Sequence, residues 1–277
     1  MYLSTIGNAL CYGLAGWMLG DGVKDVYRMQ QDKKLIESYP HDTPEHLQRF
    51  IRAVLKREGF QQSEQIPIII CNSPIKFAMS PYVFILNHEE ASLIDLSLRT
   101  LENNKPFVTT CDLGLETTIQ TVWEPYDYLK RTMGIISHEA AHGKNNDSAR
   151  LIAGKMLISI AGLCALRCNG IRQITHQSLF TKIGAGYALY ETDKLMHAAH
   201  ARLCENWADD AITQEYEALM VIKDLLRSSH ENVPSTSIYQ QLLANHPVPE
   251  KRVERIWNRL QSMKNGTNPA NSQIQDR

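Results

Sequence analysis

None of the six cysteines of this sequence (Cys11, Cys71, Cys111, Cys164, Cys168 and Cys204) forms a C-x-x-C pair. That scatter argues against a thiolate zinc site and against a dense disulfide framework. An excess of charge is lacking too. With 29 Lys and Arg against 30 Asp and Glu, the net charge is −1, so no basic field points to nucleic acid as a partner. Clean apolar runs are also scarce. The first 20 residues, MYLSTIGNALCYGLAGWMLG, carry no charge and have about the length of a bilayer-crossing helix. Four glycines with Ser4, Thr5 and Asn8 dilute them, and the basic start of a secretory signal is missing. They form a candidate membrane-associated segment, with a packed N-terminal helix as the alternative and a soluble protein as the default localisation. Residues 151–190 are interrupted by Lys155, Arg167, Arg172 and Lys182. Buried helices are expected there in preference to a membrane hairpin.

What the chain does have is length and apolar content: 277 residues, 43% hydrophobic, enough for a real core. Helical patterns dominate. Thr43-Pro44 reads as a helix start with Thr43 as N-cap, Leu47, Ile51, Val54 and Leu55 as the apolar stripe, and Gly59 beyond the end. The period then changes. Ile66–Cys71 and Tyr82–Leu86 are β-branched and aromatic runs that predict a small sheet or hairpin. Residues 87–126 give no clear pattern, and His88-Glu89-Glu90 reads as a loop at a strand end. Helices are expected from about Tyr126 to Gly143, over 151–167, from Glu191 to Ile212, and over 214–227 and 249–262.

The chemistry sits in Ser137-His138-Glu139-Ala140-Ala141-His142-Gly143, which contains H-E-x-x-H. On a helix, residues i and i+4 share a face, so both imidazoles point into one site. Neutral imidazole nitrogen suits Zn²⁺, and two such ligands leave room for a third protein group and a water. Glu139 can act there as general base. A second segment, Arg202-Leu203-Cys204-Glu205-Asn206-Trp207-Ala208-Asp209, supplies Glu205 as a candidate third ligand. Asp209, one turn on, could fix a ligand histidine's tautomer; the plainer alternative is a solvated acidic face. His246-Pro247 with Arg252 places candidate oxyanion donors just before and within the last helix, the alternative being a helix-start turn with a surface histidine.

Taken together the three motifs resemble those of the gluzincin metallopeptidases that include the HtpX-type membrane proteases, the CAAX prenyl endopeptidases and the Oma-type and BepA-type proteases. That family's pattern is H-E-x-x-H, then E-x-x-A-D, then H-P followed by an Arg. It is matched by His138–His142, by Glu205–Asp209 with Arg202 three residues ahead, and by His246-Pro247 with Arg252. Ser73–Met79 is similar to a further family segment, though Lys76 stands where Asn is usual.

The resemblance implies one zinc per chain held by His138, His142 and Glu205, with Glu139 as base and Asp209 supporting the ligands. His246 and Arg252 would assist the transition state. An extended peptide would pair with an edge strand at Tyr82, Val83 and Phe84. The expected fold is mainly α with a small β-sheet (α+β), a zincin-like metallopeptidase domain over 60–263. A helical N-terminal appendage would cover 1–59 and a disordered tail 264–277. Residues 87–127 would be an insertion serving as a lid or substrate selector. The expected activity is zinc-dependent hydrolysis of internal peptide bonds in protein or peptide substrates, with a role in protein quality control or at a membrane. The alternative is a zinc-holding, chaperone-like binding protein without turnover. The sequence sets no oligomeric state.

Overall fold

The computed structural model describes residues 13, 16, 19–27, 30, 34, 43–61, 63–72, 75–80, 82–103, 124–167, 179–231 and 247–265. In chain order the elements are α1 (Glu45–Arg57), β1 (Ile68–Cys71), β2 (Phe77–Ser80), β3 (Val83–Asn87), α2 (His88–Asn103), α3 (Pro125–Asn145), α4 (Asp147–Arg167), α5 (Leu179–Asp210), α6 (Glu215–Glu231) and α7 (Pro249–Lys264). Among the described residues the fold is mainly α with one three-stranded sheet, as expected. Two compact units divide the chain. One comprises Met1–Ser38, Asn146–Glu205 and Ser235–Pro247; the other comprises Tyr39–Asn145, Asn206–Pro234 and Val248–Arg277.

The second unit has the larger core. Leu47, Ile51, Val54 and Leu55 of α1 are buried with Ile68, Phe84, Leu86, Ile94, Leu129 and Ile136. Each such side chain contributes about 1.5–3 kcal/mol by leaving water. Helix α1, from within the expected appendage of 1–59, therefore belongs to this core. The N-cap expectation fails. Helix α1 starts after Pro44, and the Thr43 hydroxyl donates instead to the Ile68 carbonyl at 2.7 Å, tying helix to sheet. Gly59 does end the helix, at φ +88°, a conformation that suits glycine.

Sheet order is β1-β3-β2, with β1 parallel and β2 antiparallel to β3. The two runs read from the sequence are thus parallel neighbours, not a hairpin, and 83–87 is the central strand. The reason lies in its composition. Val83-Phe84-Ile85-Leu86 is apolar at four successive positions, which suits a strand enclosed on every side. Phe77–Ser80 alternates between buried and half-buried, as an edge strand does.

Asn87 ends β3 and caps α2, its Oδ1 accepting from the Glu90 amide at 2.8 Å. The segment read as a loop at His88–Glu90 is therefore a helix start, and Asn87-x-x-Glu90 was its overlooked signal. The Glu90 carboxylate turns inward. It is 2% exposed and receives Tyr128 Oη at 2.5 Å and Arg131 Nη1 at 3.2 Å, with Lys76 Nζ at 3.3 Å. Burial alone would raise its pKa; the Arg131 charge and the Tyr128 hydrogen bond outweigh burial and hold it below the usual carboxylate range.

Helix α3 approaches its neighbours through two glycines. A Cβ on Gly134 would meet Val221 Cγ2 at 2.7 Å and the Glu217 carbonyl at 3.2 Å; one on Gly143 would meet Met79 Cγ at 2.8 Å. Helix α6 and strand β2 therefore lie close against α3. A second cluster joins α6 and α7 through Val221, Ile222, Ile256 and Leu260, with Ile212 beside them.

Helix α3 stops at Asn145, and Asn146 takes the left-handed conformation at φ 53° before α4 begins. In the first unit Lys155 of α4 pairs with Asp21 and with Asp25, the latter at 3.1 Å. Ion pairing thus accommodates the charge that interrupts this apolar stretch. Among the described residues no helix is long and apolar enough to cross a membrane. Most of segment 1–20, residues 104–123 of the expected lid and all of the tail after Asn265 lie outside the described residues.

Removing one partner from the buried Glu90–Arg131 pair is expected to cost about 3–5 kcal/mol. Glu90→Gln should lower the urea midpoint accordingly at neutral pH. Because the folded pKa lies below the unfolded value of about 4.3, the contribution is complete above that value. It disappears as pH falls through the folded pKa. The gap between parent and variant should therefore close on acidification, and a gap independent of pH would refute the assignment.

Candidate metal centre

Helix α3 carries His138, Glu139 and His142 in its last two turns. His138 is buried and His142 half-buried, with ring centroids 4.8 Å apart and planes at 83°. Their Nε2 atoms face each other at 3.2 Å. The boundary between the two units falls within α5, directly after Glu205, so Glu205 and Asp209 stand one turn apart on one unbroken helix. The carboxylate of Glu205 and one nitrogen of each histidine lie within 4.8 Å of one another.

Asp209, 1% exposed, orients the first histidine. Its Oδ1 lies 3.0 Å from His138 Nδ1. From α7, Arg252 grips the same carboxylate with Nη2 on Oδ1 at 2.6 Å and Nε on Oδ2 at 3.0 Å. Burial would raise the pKa of Asp209, but the bonds from His138 and Arg252 prevail and hold it low. A carboxylate here accepts, so His138 Nδ1 must donate. Arg252 Nη2, 3.5 Å from the same nitrogen, cannot then find a lone pair on it. The tautomer is thereby set, with the Nε2 lone pair of His138 turned toward His142.

This donor set fits zinc. Two neutral imidazoles and one carboxylate are a known three-ligand arrangement, and nitrogens bound at 2.0–2.1 Å around a tetrahedral ion stand about 3.3 Å apart. The observed 3.2 Å between the Nε2 atoms agrees. Glu139 follows His138 directly and precedes His142 by three, so on the helix it lies about 60° from the latter. It is half-buried.

Residues 126–260 match the model for peptidase family M48. That stretch is similar to peptidase family M48. The matched stretch takes in α4, α5 and α6 whole, nearly all of α3 and most of α7, and with them every member of the cluster. It carries the general activity of a zinc-dependent metallopeptidase acting on protein or peptide, and the zincin-like fold that goes with it. No curated protein and no solved structure matches the chain.

Not every expected site residue gathers at the cluster. His246 lies outside the described residues. The substrate-strand expectation for Tyr82, Val83 and Phe84 is overturned. Tyr82 is an exposed turn residue, while Val83 and Phe84 are 1% and 0% exposed in the central strand, paired on both sides. Their amides already serve the sheet and cannot accept a further strand. Arg252 is near, but its guanidinium is turned to Asp209.

Sequence reading missed two supports. Arg255 donates from Nε to the Asn206 carbonyl at 3.1 Å and pairs with Asp210, fastening α7 to the end of α5. Arg57 reaches the back of α3, where it meets Ser137. Neither residue lies in a motif, and only the spacing of Arg252 and Arg255 on one helix face hinted at the first.

Arg252→Met would leave the Asp209 carboxylate buried with a single partner. A loss of about 3–5 kcal/mol of unfolding free energy is expected, read by chemical denaturation. An unchanged midpoint would mean that the Arg252–Asp209 pair carries no stability.

Proposed function

We propose that the chain is a zinc-dependent endopeptidase that hydrolyses internal peptide bonds, with His138, His142 and Glu205 as metal ligands and Glu139 as general base. The observation that carries this reading is the convergence of three ligand atoms within 4.8 Å, with Glu139 on the same turn of α3. Bound there, zinc supplies Lewis acidity toward a peptide carbonyl and a water. Glu139 accepts the proton of the attacking water and returns it to the departing amine. Asp209 keeps His138 in the tautomer that presents Nε2, and Arg252 acts through Asp209 by holding its carboxylate in place. His246, on the segment leading into α7, would donate to the oxyanion.

The strand that receives the peptide is, in this reading, β2. It is an edge of the sheet among the described residues, and its Met79 side chain rests on Gly143, next to His142. The Asn87 amide donates to the Lys76 carbonyl at 3.1 Å. The antiparallel alternation then turns the N–H and C=O groups of Phe77 and Met79 away from β3. An extended peptide can add there by main-chain hydrogen bonds, lying beside the metal helix.

Glu139→Gln should retain zinc and lose hydrolysis of unfolded casein by about 10²–10⁴-fold, whereas His142→Ala and Glu205→Ala should lose the metal itself. The checks are metal analysis of the purified chain and chelator-sensitive cleavage. Parent-rate cleavage by Glu139→Gln would remove Glu139 as the base. A parent chain that holds zinc and never cleaves would favour a silent zinc-binding protein.

A further inference from the structure

Beyond the ligand shell, a buried ionic network lies against α3, within the second unit. Arg57, the last residue of α1, makes a bidentate pair with Glu217 of α6, Nη1 to Oε1 at 2.6 Å and Nη2 to Oε2 at 2.7 Å. The same Nη2 donates to Ser137 Oγ at 2.8 Å. Ser137, next to His138, has Glu58 Oε1 at 2.8 Å and the Met133 carbonyl at 3.0 Å as acceptors for its single proton. Ser137 and Glu217 are each 1% exposed. Arg57 is held charged, first by its hydrogen bond to Glu217, against the opposing effect of burial.

An apolar contact would have sufficed to dock α3 on α1 and α6, as Gly134 against Val221 does one turn away. A polar network is directional. Side chains on neighbouring residues of a helix point about 100° apart, so fixing Ser137 Oγ in a fork of Arg57 and Glu58 fixes the rotation of α3 about its own axis. That rotation decides where His138 and His142 point. Packing alone tolerates small rolls; the bidentate bond to Glu217 fixes the guanidinium, and the remaining Nη2 hydrogen then holds Ser137 Oγ in one direction.

We propose that Arg57, anchored by Glu217 and acting through Ser137, is a positioning residue that sets the roll of the metal helix. It thereby tunes zinc affinity and turnover without touching metal or substrate. The proposal rests on the zinc-peptidase reading above.

The test uses the full-length chain with Arg57→Met, Arg57→Lys and Ser137→Ala, each shown to be folded by circular dichroism at the assay temperature. Zinc affinity is measured by chelator competition, and site geometry by the visible absorption of the cobalt(II)-loaded chain. Arg57→Met and Ser137→Ala should bind zinc about 10–100-fold more weakly, the range for residues supporting metal ligands. Their cobalt spectrum should be altered, with kcat reduced and KM unchanged. Arg57→Lys restores the charge but not the bidentate fork and should recover only part of the affinity. A purely structural role would lower the melting temperature and leave the cobalt spectrum and affinity of the folded chain at parent values.

Ser137→Ala keeps the Arg57–Glu217 pair and removes only the link to α3. A folded Ser137→Ala chain with parent affinity and spectrum therefore overturns the proposal, whether or not Arg57→Met folds. If the parent chain binds no divalent metal, the zinc reading itself falls; if parent and Ser137→Ala bind alike, only the positioning role does.

Discussion

The carboxylate of Asp209 is fully buried, and a buried charge persists only where its partners are built around it. Two partners meet it, His138 from α3 and Arg252 from α7. Neither can be dropped without leaving charge stranded in a low-dielectric site. This single requirement joins three helices far apart in sequence and sets the tautomer of the first imidazole. It also explains why Arg255, one turn beyond Arg252, adds a second clasp on Asp210. The arrangement around His138 follows from satisfying one carboxylate.

Helix α3 bears the opposing demands. On one side it must approach β2 and α6 closely, and Gly143 and Gly134 supply the room at some cost in helix propensity. Elsewhere it carries two candidate metal ligands, His138 and His142, whose direction matters to within tens of degrees. Close packing gives proximity, and hydrogen-bonded polar contacts give direction. The polar contacts of Ser137 with Arg57 and Glu58, and of His138 with Asp209, fall on neighbouring residues and so hold the helix from two directions.

The sheet shows how far a local pattern can be read. Both β runs were evident from their Ile, Val and Phe content, but their partnership was not. A strand apolar at every position has no preferred side, and whether it lies at an edge depends on a neighbour elsewhere in the chain. Phe77–Ser80, too short and too mixed to stand out, became an edge among the described residues because Val83–Leu86 had taken the centre. The same limit applied at Asn87, whose capping role needed the β3 terminus to be known first. Thr43 carried the signature of a cap yet spent its hydroxyl on the Ile68 carbonyl, a tertiary partner that outbid a local one.

By itself the sequence determined what is set by spacing along one element. His138 and His142 share a face because residues four apart on a helix must. Glu205 and Asp209 align for the same reason, and the α1 stripe of Leu47, Ile51, Val54 and Leu55 follows from the 3.6-residue period. Only the tertiary structure decided what depends on the meeting of distant segments. It gave Arg252 to Asp209, made β3 central with β2 beside it, and brought Arg57 to Ser137. Periodicity is a property of the backbone and can be read from one strip of chain. Pairing is a property of two strips, and long polar side chains such as arginine reach many candidate partners until packing leaves only one.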